Sequence, residues 1–220
     1  MGEERSSLST IRWDVLTIGH LSRNRYWGEA DDRAYREPQC TSTLIRTAGR
    51  TIVVDPSLDQ EGMAHVLDRR AGIAPEVVDV VFLTHFHADH RVGLEAFRHA
   101  EWFMAIEEIE HWKRDLLADS PDRAVLDRIV PVGRCLLPGI DVIETPGHTP
   151  GHASLLFESE GRRIVVAGDA AMTGDFFRHR GYYFNTINPD AAVASIETIA
   201  GVADLVVPGH DNYFLNLESP

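Results

Sequence analysis

Thr84-His85-Phe86-His87-Ala88-Asp89-His90 is the stretch that decides how this chain is read. It places three imidazoles and one carboxylate within six positions, directly after an apolar run over 77–83. Imidazole and carboxylate oxygen suit zinc, iron or manganese. A continuous apolar, β-branched run is the pattern of a buried strand. The strand would therefore carry the cluster to its C-terminal edge.

Partners for such a cluster follow downstream. They are His148 in Thr145-Pro146-Gly147-His148-Thr149-Pro150-Gly151-His152, Asp169 after Ala167-Gly168, and His210 after Val207-Pro208-Gly209. Each stands where an extended apolar run meets a glycine-containing turn, and glycine permits close approach of the backbone to an ion. Four strand ends, each tipped with a ligand type, read as one site on one rim of a sheet. His20, His65, His99 and His179 fall in no ligand pattern.

The ordered set His-x-His-x-Asp-His, then His, Asp and His, resembles the metallo-β-lactamase fold superfamily of binuclear hydrolases, over residues 11–215. The resemblance implies a four-layer αββα sandwich in a single domain over 1–220. It implies two divalent metal ions, zinc first, with iron or manganese as alternatives. His85, His87 and His148 would hold one ion, Asp89, His90 and His210 the other, and Asp169 would bridge them, with His152 a support of the site rather than a ligand. Metal coordination lowers the pKa of bound water from 15.7 to about 7. A hydroxide held between the ions would attack an ester, thioester or lactone carbonyl of a small substrate. Asp89 would be catalytic, using its second oxygen to orient the nucleophile or pass a proton to the leaving group.

Two internal similarities accompany the motif. Asp79 and Asp204 each begin an apolar run that reaches a histidine six residues on, at His85 and His210. The stretches 50–55 and 163–169 also look alike, and each ends in aspartate, Asp55 and Asp169. Both fit a fold of two similar halves.

Bulk properties bound the alternatives. A chain of 220 residues with 44% hydrophobic residues can bury a sizeable core. The start, Met1-Gly2-Glu3-Glu4-Arg5, lacks an apolar segment of the secretory kind, and Gly2 with Ser6 is a chance-level match to a myristoylation pattern. No stretch approaches the ~20 apolar residues of a membrane helix. Cys40 and Cys135 make no disulfide framework and read as small buried residues in a reducing cytoplasm. A net charge of −13 argues against nucleic acid as the partner. A small-molecule substrate is expected, and a homo-oligomer is compatible. A nuclease or phosphodiesterase of the same fold and a non-catalytic metal-binding protein are the alternatives.

The remaining pattern is a strand over 11–18, a hairpin over 43–55 and helices over 61–70, 89–99, 105–118, 121–129 and 189–200. Strands over 141–144, 153–158 and 163–167 complete it. Two long connections stand out. Residues 19–39 carry Tyr26, Trp27 and arginines, and 172–185 follow Asp169 with five aromatics. Connections this long inside a compact domain are usually functional. They are expected to wall the substrate pocket, with Trp27, Arg178, Tyr182 and Tyr183 contacting substrate. Homoserine lactonases of the superfamily carry a tyrosine three residues after the bridging aspartate. Met172 stands there, so Tyr182 or Tyr183 would have to substitute.

Overall fold

A computed structural model of the chain describes residues 11–217. The readings made at Met1–Arg5 and at Ser6 lie outside the described residues.

Among the described residues, twelve strands form two six-stranded sheets. The first runs β1 (Arg12–Thr17), β2 (Ser42–Arg46), β3 (Thr51–Val54), β4 (Val80–Phe82), β5 (Glu101–Ala105) and β6 (Val130–Val132) in that spatial order. Its first three strands pair antiparallel and its last four parallel. The second contains β7 (Cys135–Leu137), β8 (Ile140–Glu144), β9 (Ala153–Ser159), β10 (Arg162–Gly168), β11 (Leu205–Pro208) and β12 (Phe214–Leu215). Only β10 and β11 pair parallel there.

Alternation along the strands explains the layers. Ile52, Val54, Val80 and Phe82 face Leu155, Ile164, Val166 and Val207 between the sheets. Val53, Val81 and Leu83 point the other way, onto Met63 and Leu67 of α1 (Gln60–Ala71) and Ile109 of α2 (Ile106–Asp115). Val165, Ala167 and Val206 meet Ile196 and Ile199 of α5 (Pro189–Val202). Strands covered on both faces are apolar on both faces. The predicted four-layer αββα sandwich is therefore the architecture found.

The similarity between halves has a structural counterpart. The Asp79 carboxylate accepts the Thr51 backbone N–H at 2.8 Å, and Asp204 accepts that of Arg163 at 2.8 Å. Each acid thus ties the start of its own strand to the neighbouring strand.

Several local expectations need correction. The helix expected over 89–99 is instead two 3₁₀ segments, Ala88–His90 and Val92–Phe97. The Gly93 amide donates to Pro56 O at 2.9 Å, so it is not available for an α-helical bond. Strands β5 and β6 were not expected, being short or mixed in polarity. Leu117, assigned to the helix over 105–118, is 75% exposed beyond its end. Residues 121–129 contribute only α3 (Asp122–Leu126), and 172–185 contain a short helix, α4 (Gly174–Arg178). Cys40 is buried as expected, but Cys135 is exposed on the edge strand β7. Among the described residues no helix is long and apolar enough to cross a membrane.

Candidate metal centre

The ends of β4, β8, β10 and β11 deliver the site. Just past them stand His85, His148, Asp169 and His210, and the 3₁₀ turn after β4 adds Asp89 and His90. Two groups of ligand atoms result: His85, His87, His148 and Asp169 in one, Asp89, His90 and His210 in the other. All seven residues expected from the sequence come together.

In the first group, His87 Nδ1 lies 2.9 Å from both His85 Nε2 and His148 Nε2. Three imidazole nitrogens at that spacing cannot all be satisfied by shared protons. A cation between them would resolve the arrangement. Asp169 lies between the groups. Its Oδ2 is 3.2 Å from His148 Nε2 and 3.8 Å from His85 Nε2, while its Oδ1 is 3.2 Å from both His90 Nε2 and His210 Nε2. Asp89 Oδ2 is 3.7 Å from His210 Nε2 and 4.0 Å from His90 Nε2. Asp169 Oδ1 and His90 Nε2 are buried without a hydrogen-bond partner. Inward-facing donor atoms of this kind fit a pair of divalent cations.

The outer ring nitrogens of His85, His90 and His210 are tied down. His85 Nδ1 is 3.1 Å from Thr84 Oγ1, and Thr84 Oγ1 donates to Asp55 at 2.7 Å. His90 Nδ1 is 3.0 Å from Asp55 Oδ2. His210 Nδ1 reaches the carbonyl oxygens of Gln39 at 2.9 Å and His20 at 3.2 Å. Such partners fix the tautomer and aim the other nitrogen inward. Asp55 escaped the sequence reading as a site residue. Its signal was the likeness of 50–55 to 163–169, which aligns it with Asp169.

Electrostatics separate the two groups. Burial pushes His85 well below the ordinary histidine range, lowers His87, and takes His148 to about 3. Shifts in this direction favour the neutral form that ligates a metal. Burial also acts to lower His90 and His210, but it is outweighed, at His90 by Cys40 and then Asp169 and Asp55, at His210 by Asp169 and then Asp89, and both move up. Burial would raise Asp169, yet His210, His90 and His148 hold it well below the usual carboxylate range. His152 is also at about 3 through burial. Its Nδ1 is 2.9 Å from Thr145 Oγ1, and its ring packs 5.2 Å from that of His85.

Gly209 makes the close packing possible, since a Cβ there would stand 2.1 Å from Asp169 Oδ1.

A cavity of about 270 Å³ opens on His87, Asp89, His148, Asp169 and His210. Its outer wall is Leu21, Ser22 and Pro38 from one long connection and Tyr183, Phe184 and Asn185 from the other. The two connections meet where Ser22 Oγ and Tyr183 Oη lie 2.8 Å apart. Of the four expected substrate residues, Tyr183 lines the cavity. Trp27, Arg178 and Tyr182 do not. Trp27 is 56% exposed beside Arg36, Arg178 pairs with Asp175, and Tyr182 lies beside Arg25. Aromatic and arginine content pointed to the two segments that wall this cavity but not to the residues within them that line it.

Comparison with known proteins agrees with this geometry. Metallo-beta-lactamase domain-containing protein 1 of Xenopus laevis is 32% identical over 143 residues, covering 63% of this chain and 56% of that protein. An N-acyl homoserine lactonase of a Bacillus species is 29% identical over 168 residues, covering 71% and 65%. The chain thus spans less than two thirds of the length of these relatives. An N-acyl homoserine lactone hydrolase, solved with N-hexanoyl-L-homoserine at its catalytic metal centre, superposes with a TM-score of 0.67 at 20% identity, covering 87% of each chain. The family profile described as the metallo-beta-lactamase superfamily matches residues 35–210, and the chain belongs to that superfamily.

Proposed function

We propose that this chain is a hydrolase that binds two divalent metal ions and cleaves an ester, thioester or lactone carbonyl of a small molecule. The observation carrying the reading is Asp169, whose two oxygens face two separate clusters at the floor of one open cavity. His85, His87 and His148 would hold one ion, Asp89, His90 and His210 the other, with Asp169 shared. The histidine and carboxylate set suits zinc first. The relatives named for lactone cleavage favour an acyl substrate. Two free cysteines support a reducing, cytoplasmic setting.

When bound, the ions supply an activated water and polarise the carbonyl oxygen. The chain's own groups do the rest. Asp89 lines the cavity with its Oδ2 toward His210, leaving Oδ1 to take a proton from the water and return it to the leaving oxygen or sulfur. The Tyr183 oxygen is reached by the Ser22 hydroxyl and the Arg23 backbone amide. With both donating, the phenolic hydrogen is free to meet a substrate oxygen. Phe184 and Leu21 supply apolar wall for an acyl group. Arg23, 4.2 Å over the Phe184 ring, adds positive charge beside that wall.

Metal analysis of protein purified without chelator tests the reading, together with a panel of lactones, thioesters, β-lactams and phosphodiesters. Two equivalents of metal and turnover of an acyl substrate are expected. A ceiling of one equivalent under excess metal, or turnover of phosphodiesters alone, would overturn it.

A further inference from the structure

Glu108 is a fully buried carboxylate that the proposed chemistry does not use. It stands in the first turn of α2, on the first sheet's side of the molecule. Its Oε1 accepts the Phe86 backbone N–H at 3.1 Å and the Trp112 indole N–H at 2.8 Å. Its Oε2 accepts the Gly151 backbone N–H at 3.1 Å. Phe86 lies between His85 and His87, and Gly151 lies three residues past His148. One carboxylate therefore joins two turns that arise from different sheets, β4 and β8, and that carry all three histidines of the first cluster.

The surroundings are built around this junction. A Cβ on Gly151 would lie 2.0 Å from Glu108 N, so only glycine lets the His148 turn pass over the start of α2. The Trp112 ring packs 5.5 Å from that of Phe86 and 5.8 Å from that of His87. The second cluster is supported elsewhere: His90 by Asp55, His210 by the carbonyls of Gln39 and His20. Burying a charged carboxylate is costly unless donors meet it. An apolar residue there would leave the Phe86, Trp112 and Gly151 N–H groups without their acceptor.

We propose that Glu108 is a positioning residue for the first metal cluster, holding His87 and His148 at ligating distance from each other. The inference rests on the two-ion reading above. It makes an asymmetric demand on substitution. In Glu108→Gln, the amide oxygen can still accept from Phe86 and Trp112, while the NH₂ faces the Gly151 N–H, donor against donor. The reverse orientation would lose two bonds to keep one. Glutamine thus releases the His148 turn and keeps the His87 turn.

The test is titration of metal-free full-length protein with Zn²⁺ and with Co²⁺, whose visible absorption reports ligand geometry. Two binding constants are expected for the unsubstituted chain. Glu108→Gln should weaken one of them about 10–100-fold, the range typical for groups that orient metal ligands. The other should move less than about threefold, with an altered Co²⁺ spectrum and little change in Tm. The loss should persist in a His210→Ala background and vanish in a His148→Ala background. Equal weakening of both sites in step with Tm would mark Glu108 as a general stabiliser and overturn the proposal, as would unchanged constants. If Glu108→Ala fails to fold, Glu108→Gln and Trp112→Phe still decide the matter. Unsubstituted protein that binds only one ion would overturn the two-ion reading, a result separable from retention of both sites in the variants.

Discussion

Asp55 Oδ2 lies 3.0 Å from His90 Nδ1, on the side of the ring opposite the contact between His90 Nε2 and Asp169. The same carboxylate takes the Thr84 amide at 2.9 Å and the Thr84 hydroxyl at 2.7 Å. Asp55 adopts φ +48, a left-handed conformation that costs a non-glycine residue on the order of 1–3 kcal/mol. Its hydrogen bonds to the ligand-bearing turn offset that strain.

Asp55→Asn should therefore impair the second cluster. An amide places an NH₂ either against the Thr84 backbone N–H, in place of Oδ1, or against both the Thr84 hydroxyl and His90, in place of Oδ2. A loss of about 10–100-fold in affinity for one of two metal equivalents is expected. Calorimetric titration of the metal-free variant measures it, and two unchanged constants would count against an orienting role.

Gly209→Ala should damage the site more than most ligand-neighbour changes, since its Cβ would lie 2.1 Å from Asp169 Oδ1. Asp169 or the His210 turn must then move, and the shared carboxylate loses its place between the clusters. Metal content is expected to fall toward one equivalent, with activity down about 100-fold or more, given that misplacement by 1 Å can cost 10². Gly133→Ala, which meets nothing within 4 Å, is the control and should behave as the unsubstituted chain. Matching metal content in the two variants would contradict this.

Much of this arrangement was legible in the sequence because it is local. A strand followed by His-x-His-x-Asp-His has few ways to place its imidazoles, and the apolar runs 77–83 and 163–167 announce strands covered on both faces. What was not legible depends on contacts between residues far apart in the sequence. Asp55 is 35 residues from His90, Glu108 is 43 from Gly151, and Ser22 is 161 from Tyr183. A lone acid in a helix looks like a solvated one until the opposite sheet is placed against it. The 3₁₀ segments after His87 were missed for the same reason, since Pro56 O takes the Gly93 amide from another part of the chain.

His152 offers a test through pH. Burial places its pKa at about 3, against about 6.5 for an ordinary histidine. Between those values the unfolded chain takes up a proton there and the folded chain does not. The contribution is complete above pH 6.5 and is lost as pH falls toward 3. His148 acts in the same sense, whereas His90 and His210, shifted upward, add stability at low pH and lose it as pH rises through their raised values. Subtracting a variant isolates one group. Metal-free His152→Gln should show a flatter rise of stability with pH between 4 and 6, by at most about 1.4 kcal/mol per pH unit. Urea midpoints across that range measure it, and parallel curves would contradict a buried neutral ring. Its metal content should stay near that of the unsubstituted chain, while Asp169→Ala should lose an ion.

Substrate contact should concentrate on Tyr183. Its hydroxyl is held by Ser22 at the cavity wall, while Trp27, Arg178 and Tyr182 lie outside the lining. Tyr183→Phe removes the hydroxyl proposed above to donate to a substrate oxygen, a loss worth about 10²-fold or more where such a donor is fully engaged. A fall in kcat/KM of about 10–100-fold is expected, with metal content unchanged. Ser22→Ala should cause a smaller fall, because it frees the tyrosine hydroxyl to rotate without removing it. Trp27→Ala, Arg178→Ala and Tyr182→Phe should remain within about twofold, under ~0.5 kcal/mol of transition-state stabilisation. The comparison uses one acyl substrate at fixed metal loading. A Tyr183→Phe enzyme within twofold of the parent, beside a Trp27→Ala enzyme well below it, would move the substrate site from the inner wall of the cavity to its exposed rim.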